Sequence, residues 1–475
     1  MFNAISSLFK GDPNKVDDDG FTRLQRAVMK NDLSRVVSLI KSGADVNYRG
    51  SMIFPPLHLA LDKDRHTIAL ALIQAGADIN LKDAQGRTPL HHAAVQSQDN
   101  FMSTLLQLGA DPNLQDDHGR VPLHVLSTAR PALIDTLVSY KANPNAQDEQ
   151  GNTPLHLFLD RPVLVEHLLR NGSDPNVKNH KGETPFMMML DDTRLQKFPG
   201  VLNGMLLSSA DLNATNGLGE TLLHLSARLE KSDTFNSISR KCDLSACDKQ
   251  GNTVLHVLAY TQNTLMIGNA LKLAPELLQK QNRRGMTPLG ELSHVANNHT
   301  FGRSAESVEA AGRMMLIHGA EPNATDEHGR TLLHYAASQG RSEFAEYLLS
   351  KGADPDLLDA KGRSALHIAI DKKDLNMIDR LLDLGANPDL ADARGWTLLD
   401  RLAEKKDRDS PVVQRLIVAG GQYQKQLPLN PELMRPRNDN QPHKAEVISI
   451  DKPARSKIVP RPGAKPDGKF GNFKP

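Results

Sequence analysis

Twelve glycines recur along this chain of 475 residues at a spacing close to 33 residues. They are Gly20, Gly50, Gly86, Gly119, Gly151, Gly182, Gly219, Gly251, Gly285, Gly329, Gly362 and Gly395. A period of this length indicates one structural unit repeated along an axis rather than a single globular core. The recurrence therefore overrides the roughly three domains that the length alone suggests. Such arrays usually present surfaces to partners, so the spacing favours binding over catalysis.

The residues around each glycine predict two short helices per unit. In the third unit Thr88 suits a helix N-cap, and Pro89 then falls at the first helical position, where its missing N–H costs nothing. Leu105 and Leu106 lie on a second helix with apolar residues at helical spacing. Gly109 follows where a left-handed residue is needed. One such unit cannot bury its apolar face alone, so stability must come from the stacking of neighbours.

A motif Thr-Pro-Leu-His-x-Ala, or a close variant, follows most of the glycines. Its Leu-His pair recurs at His58, His91, His124, His156, His224, His256, His334 and His367. These residues resemble the ankyrin repeat family over about residues 18–421. The resemblance implies an all-α fold, an ankyrin-repeat α-solenoid of about 12 helix-turn-helix repeats with β-hairpin-like loops. It also implies that proteins bind to the hairpin tips and to the inner, concave helices.

We predict three segments along the chain: an N-terminal segment at 1–17, the repeat array at 18–421 and a tail at 422–475. The tail holds 11 Lys and Arg against 5 Asp and Glu, and nine of the 28 prolines. It has too few apolar residues to offset the entropy of ordering, so we expect it to be disordered. Its dispersed charges suit a linker, a short-motif segment or an export signal. Contact with a polyanion is the alternative that a basic tail leaves open.

The middle of the array departs from the motif. The sixth unit has Met187 in place of the histidine, and the seventh lacks the Gly-Ala-Asp loop. The ninth has Gly290 in place of the histidine, and 44 residues separate Gly285 from Gly329. Its extra length falls near residues 297–303. Insertions in repeat arrays map to loops and often lie on a working face, although drift in a tolerant loop is the plainer interpretation.

The recurring histidines do not predict a metal site. Equivalent residues in stacked units lie about 10 Å apart, whereas zinc needs ligands about 2 Å from one ion. Cys242 and Cys247 lack a second pair of ligands with matching spacing. The chain also has no Gly-rich phosphate loop, no H-E-x-x-H and no G-x-S-x-G motif. We therefore predict no catalytic, cofactor or metal residues and conclude that the chain is not an enzyme.

No secretory signal peptide and no apolar run near 18 residues occur in the sequence, so we predict no membrane span. The amphipathic opening at 1–10 suits a lid on the first repeat, or alternatively a contact with a membrane surface. Two cysteines do not make a disulfide framework, which favours a reducing compartment. We expect a cytoplasmic monomer that binds a protein. The alternative is a bacterial secreted effector that binds host proteins and uses the tail as its export signal.

We place the partner-binding site on the last four hairpins, at residues flanking their glycines. The candidates are Arg284, Met286, His328, Arg330, Lys361, Arg363, Arg394 and Trp396. Trp and Arg are enriched in binding hot spots, and a row of cations favours an acidic peptide or an acidic protein surface over nucleic acid. Charge reversal at Arg330 and Arg363 should then weaken binding. Arg and Lys also suit these positions for solubility alone.

Overall fold

The computed structural model describes residues 12–49, 54–96, 98–126, 130–191, 204–298, 304–392, 395–404 and 410–422. Its α-helices are α1 Arg23–Met29, α2 Leu33–Lys41, α3 Pro56–Asp62, α4 His66–Gln74, α5 Pro89–Gln96, α6 Asp99–Gln107, α7 Pro131–Ser139, α8 Pro154–Leu157, α9 Pro162–Arg170, α10 Pro185–Asp191, α11 Leu222–Arg228, α12 Ser232–Ile238, α13 Val254–Thr261, α14 Thr264–Leu273, α15 Pro288–Asn298, α16 Ala305–Ile317, α17 Leu332–Gln339, α18 Ser342–Ser350, α19 Ala365–Asp371, α20 Leu375–Asp383, α21 Leu398–Glu404 and α22 Pro411–Val418. Short 3-10 helices occupy Pro122–Val125 and Pro275–Gln279. The predicted all-α class is confirmed.

Successive repeats stack helix on helix. The first helices pack on one another in the order α1, α3, α5 and again in the order α11, α13, α15, α17, α19. The second helices form a parallel row that includes α12, α14 and α16. The small buried side chains of Ala93 and Ala94 keep a first helix thin, so the neighbouring repeat can approach it. A single apolar core therefore runs from Leu24 to Leu416.

The histidine of the repeated motif links each repeat to the next. His91 Nδ1 accepts the backbone N–H of Thr88 at 3.1 Å, and His91 Nε2 donates to the carbonyl of Arg120 in the next hairpin at 2.8 Å. Burial lowers the pKa of His91 to about 4, so the ring stays neutral and serves as donor and acceptor at once. The same Nε2 bond is made by His58, His124, His156, His224, His256 and His334. We call this row the histidine ladder.

Asparagine and aspartate side chains link the loops that lead into successive hairpins. Asn113 Oδ1 accepts the N–H of Asn143 at 2.7 Å, and Asn113 Nδ2 donates to the carbonyl of Lys141 at 2.9 Å. We call this row the loop ladder; its equivalents run from Asn14 to Asp243 and resume from Asn323 to Gln422. The loop before the ninth hairpin is instead the 3-10 helix Pro275–Gln279, whose Gln279 side chain donates to the Gly319 carbonyl at 3.1 Å.

The ninth repeat differs from its neighbours in helix length. Its first helix, α15, has 11 residues, and its second helix, α16, has 13. In the third repeat, α5 has 8 residues and α6 has 9. Part of the extra length predicted near residues 297–303 thus lies in longer helices, and 299–303 lie outside the described residues. The predicted segments at 1–17 and 422–475 stay predictions, since 1–11 and 423–475 are also outside them.

Candidate partner-binding surface

Each hairpin is a five-residue turn with a fixed internal geometry. In the tenth repeat the N–H of Asp326 donates to the carbonyl of Arg330 at 2.9 Å, so the first and fifth residues pair at the base. Asp326 Oδ1 accepts the N–H groups of His328 and Arg330, both at 2.8 Å. The fourth residue, Gly329, has a φ of +70°, which favours glycine. Only the second and third residues are left to form the tip.

This geometry divides the predicted binding residues into two groups. Arg284, His328 and Lys361 occupy the third turn position and are exposed at the tips. Arg394 has the same position in the sequence but lies outside the described residues. Met286, Arg330, Arg363 and Trp396 occupy the fifth position and lie at the bases. The sequence places both groups together at the hairpins. That the third position lies at the tip and the fifth at the base is seen only in the folded turn.

The two arginines at the base are bound to the aspartate of their own turn. Arg330 Nη2 lies 2.7 Å from Asp326 Oδ2, and Arg363 Nη2 lies 2.8 Å from Asp359 Oδ2. Burial alone would raise the pKa of Asp359, but hydrogen bonds from Arg363 outweigh burial and lower it. Charge reversal at either arginine would therefore leave a buried carboxylate facing another carboxylate. The prediction for these variants is corrected: they should disrupt the turn itself.

The other two residues at the bases are also largely occupied by the scaffold. Met286 is 2% exposed, and its carbonyl accepts a hydrogen bond from His256 Nε2 at 3.0 Å. A surface role for the Met286 side chain is thus corrected to a place in the core. Trp396 is half-buried, and its N–H donates to Asp392 Oδ1 at 3.2 Å. The sequence signal for the base position was the recurring pair of Asp and Arg four residues apart.

The tips are joined to one another through the backbone. The N–H of the second turn residue donates to the carbonyl of the third turn residue in the preceding hairpin, as Ala360 does to His328 at 2.8 Å. We call this row the tip ladder. It places the exposed side chains of His328 and Lys361 on adjacent, aligned tips. His328 keeps 56% of its side chain exposed, and we find no ion pair for Lys361 within the described ranges.

Arg284, the remaining tip cation, is partly neutralised. Its Nη2 lies 2.7 Å from Glu291 Oε2, and its Nη1 lies 3.9 Å from Glu327 Oε2 in the next hairpin. Its side chain is 41% exposed, so one edge of the guanidinium still faces solvent. Among the described tip residues of these hairpins, Lys361 of the eleventh is thus the cation without an ion pair.

No group of three His, Cys, Asp or Glu side chains among the described residues has the arrangement of a metal site. Burial raises the pKa of Cys242 to about 12, so this thiol is a poor nucleophile at neutral pH. None of the described helices has the length and apolar character that a membrane crossing requires.

Comparisons with known proteins agree with the fold. The family model described as ankyrin repeats (3 copies) matches residues 1–83, 55–116 and 303–392, and the single ankyrin repeat model matches 150–180. The chain is 31% identical over 153 residues to neurogenic locus notch homolog protein 1 of Danio rerio and 30% identical over 155 residues to that of Homo sapiens. It is 28% identical over 157 residues to E3 ubiquitin-protein ligase KEG of Arabidopsis thaliana.

These likenesses cover only part of each protein. They span 31% of this chain for the Danio rerio protein and 32% for the human and Arabidopsis thaliana proteins. The matched region is 6% of the length of either notch protein and 10% of the ligase, so it carries nothing of their remaining domains. The matched repeats, the helix pairs and the three ladders of hydrogen bonds agree: the chain belongs to the ankyrin repeat family.

Proposed function

We propose that this chain is a protein-interaction adaptor that binds an acidic segment of a partner through the tips of its tenth and eleventh hairpins. The observation that carries the proposal is the pair of exposed side chains, His328 and Lys361, on tips that a backbone hydrogen bond holds in register. Repeat arrays of this family act in general as non-catalytic interaction modules. The proposed surface offers the ammonium group of Lys361, beside the exposed ring of His328.

The charge of Lys361 at the eleventh tip favours an acidic partner. Lys361 is a fixed cation at neutral pH, and its ammonium group has no described carboxylate partner that would compete with a ligand. Such exposed charges contribute mainly to the rate and specificity of association. Arg330 and Arg363 are left out of this surface, because their guanidinium groups are occupied within their turns. Arg394 and Trp396 of the last hairpin extend the proposal by sequence position.

The experiment compares two charge reversals at the same turn position. Lys361→Glu changes the eleventh tip, and Lys181→Glu changes the equivalent exposed tip residue of the sixth hairpin. Partners would be recovered from the native cell by affinity purification and identified by mass spectrometry. We expect a partner that Lys361→Glu loses and Lys181→Glu keeps. Equal recovery with both variants would reject this surface, and equal loss would indicate a nonspecific charge effect.

A truncation variant separates the adaptor from the secreted-effector alternative, which rests on the tail alone. Truncation after Gly421 removes the tail and leaves the whole array. Loss of export with intact binding would support the effector, and unchanged behaviour in both respects would support a plain adaptor. We place the adaptor in the cytoplasm, and the two free cysteines, Cys242 and Cys247, are consistent with that reducing compartment.

A further inference from the structure

The junction between the ninth and tenth repeats lacks bonds that join their neighbours. The tip ladder joins hairpins eight and nine through Arg283 N–H and the Gln250 carbonyl at 2.9 Å, and it resumes between hairpins ten and eleven. At the junction itself the N–H of Glu327 has no acceptor among the described residues. The histidine ladder is missing here as well, because Gly290 stands in place of the histidine.

The tips of hairpins nine and ten are also not stacked against each other. A Cβ built on Gly251 would lie 2.9 Å from the backbone nitrogen of Arg283 in the next hairpin. The equivalent distance at Gly219 is 2.8 Å, to Lys249. A Cβ built on Gly285 would meet no atom within 4 Å. The ninth hairpin therefore has an open side where the third to eighth hairpins have a close neighbour.

At the level of the helices the same junction is unusually tight. A Cβ on Gly290 would lie 2.5 Å from the carbonyl oxygen of Thr325, and a Cβ on Gly312 would lie 3.0 Å from Leu332 Cδ1. The extended end of α15 is bound as well, since Arg330 Nη2 donates to Asn298 Oδ1 at 2.7 Å. The two repeats thus meet closely at one level and stand apart at the tips.

Among the described residues, Glu327 and the side chains around it bridge the open tips. Glu327 lies 3.9 Å from Arg284, 3.5 Å from His294 and 3.9 Å from His328. The carboxylate is 39% exposed and the Arg284 side chain 41% exposed. Exposed pairs of this kind contribute about 0–1 kcal/mol and are screened by salt. The contacts that could hold these tips together are therefore weak.

We propose that the junction between the ninth and tenth repeats is a hinge. The contacts at Gly290 and Gly312 form its pivot, and the ninth and tenth hairpins move apart and together about it. Arg284 lies on one side of the hinge, and His328 lies on the other with Lys361. The hinge goes beyond the proposed function, since it makes the spacing of these tip cations adjustable whichever partner binds.

The test measures distances between spin labels by double electron–electron resonance on the full chain. A background with Cys242→Ala and Cys247→Ser removes the native thiols. Labels at Arg283→Cys and Lys361→Cys span the hinge and one further junction. The control labels, at Asp117→Cys and Lys181→Cys, occupy the same two turn positions and span two junctions that the tip ladder closes. All four positions are exposed, and circular dichroism verifies that each labelled protein is folded.

The hinge predicts a broader distance distribution for the 283/361 pair than for the 117/181 pair. It also predicts that about 1 M NaCl broadens the 283/361 distribution further, because screening weakens the attraction between Glu327 and Arg284 across the junction. The control distribution should stay narrow at both salt concentrations. Equal widths for the two pairs, unchanged by salt, would overturn the hinge. Neither outcome depends on a partner, so the result is independent of the proposed function.

Discussion

The junction between repeats four and five and the junction between repeats nine and ten solve the same packing problem differently. The first uses all three ladders: Glu149 N–H to the His118 carbonyl at 2.9 Å, a histidine bond to the Asn152 carbonyl at 3.0 Å, and the Asn143 N–H to Asn113 Oδ1 at 2.7 Å. The second keeps the loop contact from Gln279 to the Gly319 carbonyl at 3.1 Å, and side-chain hydrogen bonds join Asn297 and Asn298 to the base of the tenth hairpin in place of the histidine bond. In exchange, glycines at Gly290 and Gly312 bring its helices close.

This contrast shows that the array is not uniformly stiff. In repeat proteins stability is a sum of intrinsic terms and nearest-neighbour interfaces, so one altered interface changes the coupling locally. Backbone hydrogen bonds between the tips hold neighbouring hairpins at a fixed distance, whereas the junction between the ninth and tenth repeats is held at the level of the helices and the hairpin base and leaves the two tips unconnected. The regular junctions thus hold neighbouring repeats rigidly. The junction between the ninth and tenth repeats separates two rigid blocks of repeats.

Acidification should lower the free energy of unfolding more than any of the substitutions below. The loss should arise at the regular junctions, where the buried histidines lie. Burial lowers the pKa of His91, His156 and His367 to about 4, below the ordinary value of 6.5. As pH falls from 6.5 to 4, the unfolded chain binds protons that the folded chain refuses, so stability is lost over that window. At pH 5 we expect a loss of about 2 kcal/mol for each of these residues.

Urea unfolding followed by circular dichroism at pH 7 and pH 5 measures this loss. His156→Leu should reduce the pH dependence of the urea midpoint because it removes one buried histidine. Met187→Leu, at the equivalent position of the sixth repeat, changes no titratable group and should leave the dependence unchanged. A midpoint that does not move between the two pH values would show that the buried rings already accept protons in the folded state.

Gly290→Ala should destabilise the fold more than any other single substitution at the junction between the ninth and tenth repeats. The new Cβ would lie 2.5 Å from the Thr325 carbonyl, which belongs to the backbone and cannot rotate away. Overpacking of this kind costs about 2–3 kcal/mol. The matched control is Gly268→Ala in α14, where the new Cβ would meet only Met314 side-chain atoms at 3.8 Å. Since alanine favours helix, the control should be neutral or up to about 1 kcal/mol more stable.

Urea midpoints of the two alanine variants, compared with the parent protein, decide this prediction. A similar small shift for both would mean that α15 and the Thr325 loop are not in close contact.

His156→Leu and Met187→Leu compare a repeat that has the histidine ladder with one that lacks it. The first variant leaves the Thr153 N–H and the Glu183 carbonyl without their histidine partner, which should cost about 2 kcal/mol. The second exchanges two apolar side chains of similar volume in the core and should cost less than about 1.5 kcal/mol. Chemical denaturation measures both. Equal losses would imply that the ladder contributes packing and not hydrogen bonding.

The repeat and its two helices follow from the sequence because each rests on local chemistry. Thr88, Pro89 and Gly109 specify helix ends through their own backbone preferences. The Asp326 and Arg330 pair was also visible as a recurring spacing of four residues, although its meaning was missed. Arg330 and Arg363 were assigned to a partner, while their own turns already hold both side chains.

The burial of Met286 and the close approach at Gly290 could not be predicted from the sequence. Both depend on how far the next repeat stands from the residue, and that distance is set by contacts between residues about 30 to 40 positions apart. A glycine in place of histidine signals a lost bond, but it does not say whether the space is empty or filled by a neighbouring carbonyl. The sequence also could not distinguish tip positions from base positions in a hairpin, because only the folded turn separates them in space.

The most direct test of the account is amide hydrogen exchange at the second turn residue of each hairpin, resolved to single residues by mass spectrometry with gentle fragmentation. Glu149, Arg283 and Ala360 donate these N–H groups to the preceding hairpin, whereas Glu327 has no such acceptor in the described structure. We predict slowed exchange at the first three residues and exchange at Glu327 near the rate of an unstructured peptide. Protection at Glu327 equal to that at Ala360 would contradict a break in the tip ladder between the ninth and tenth repeats.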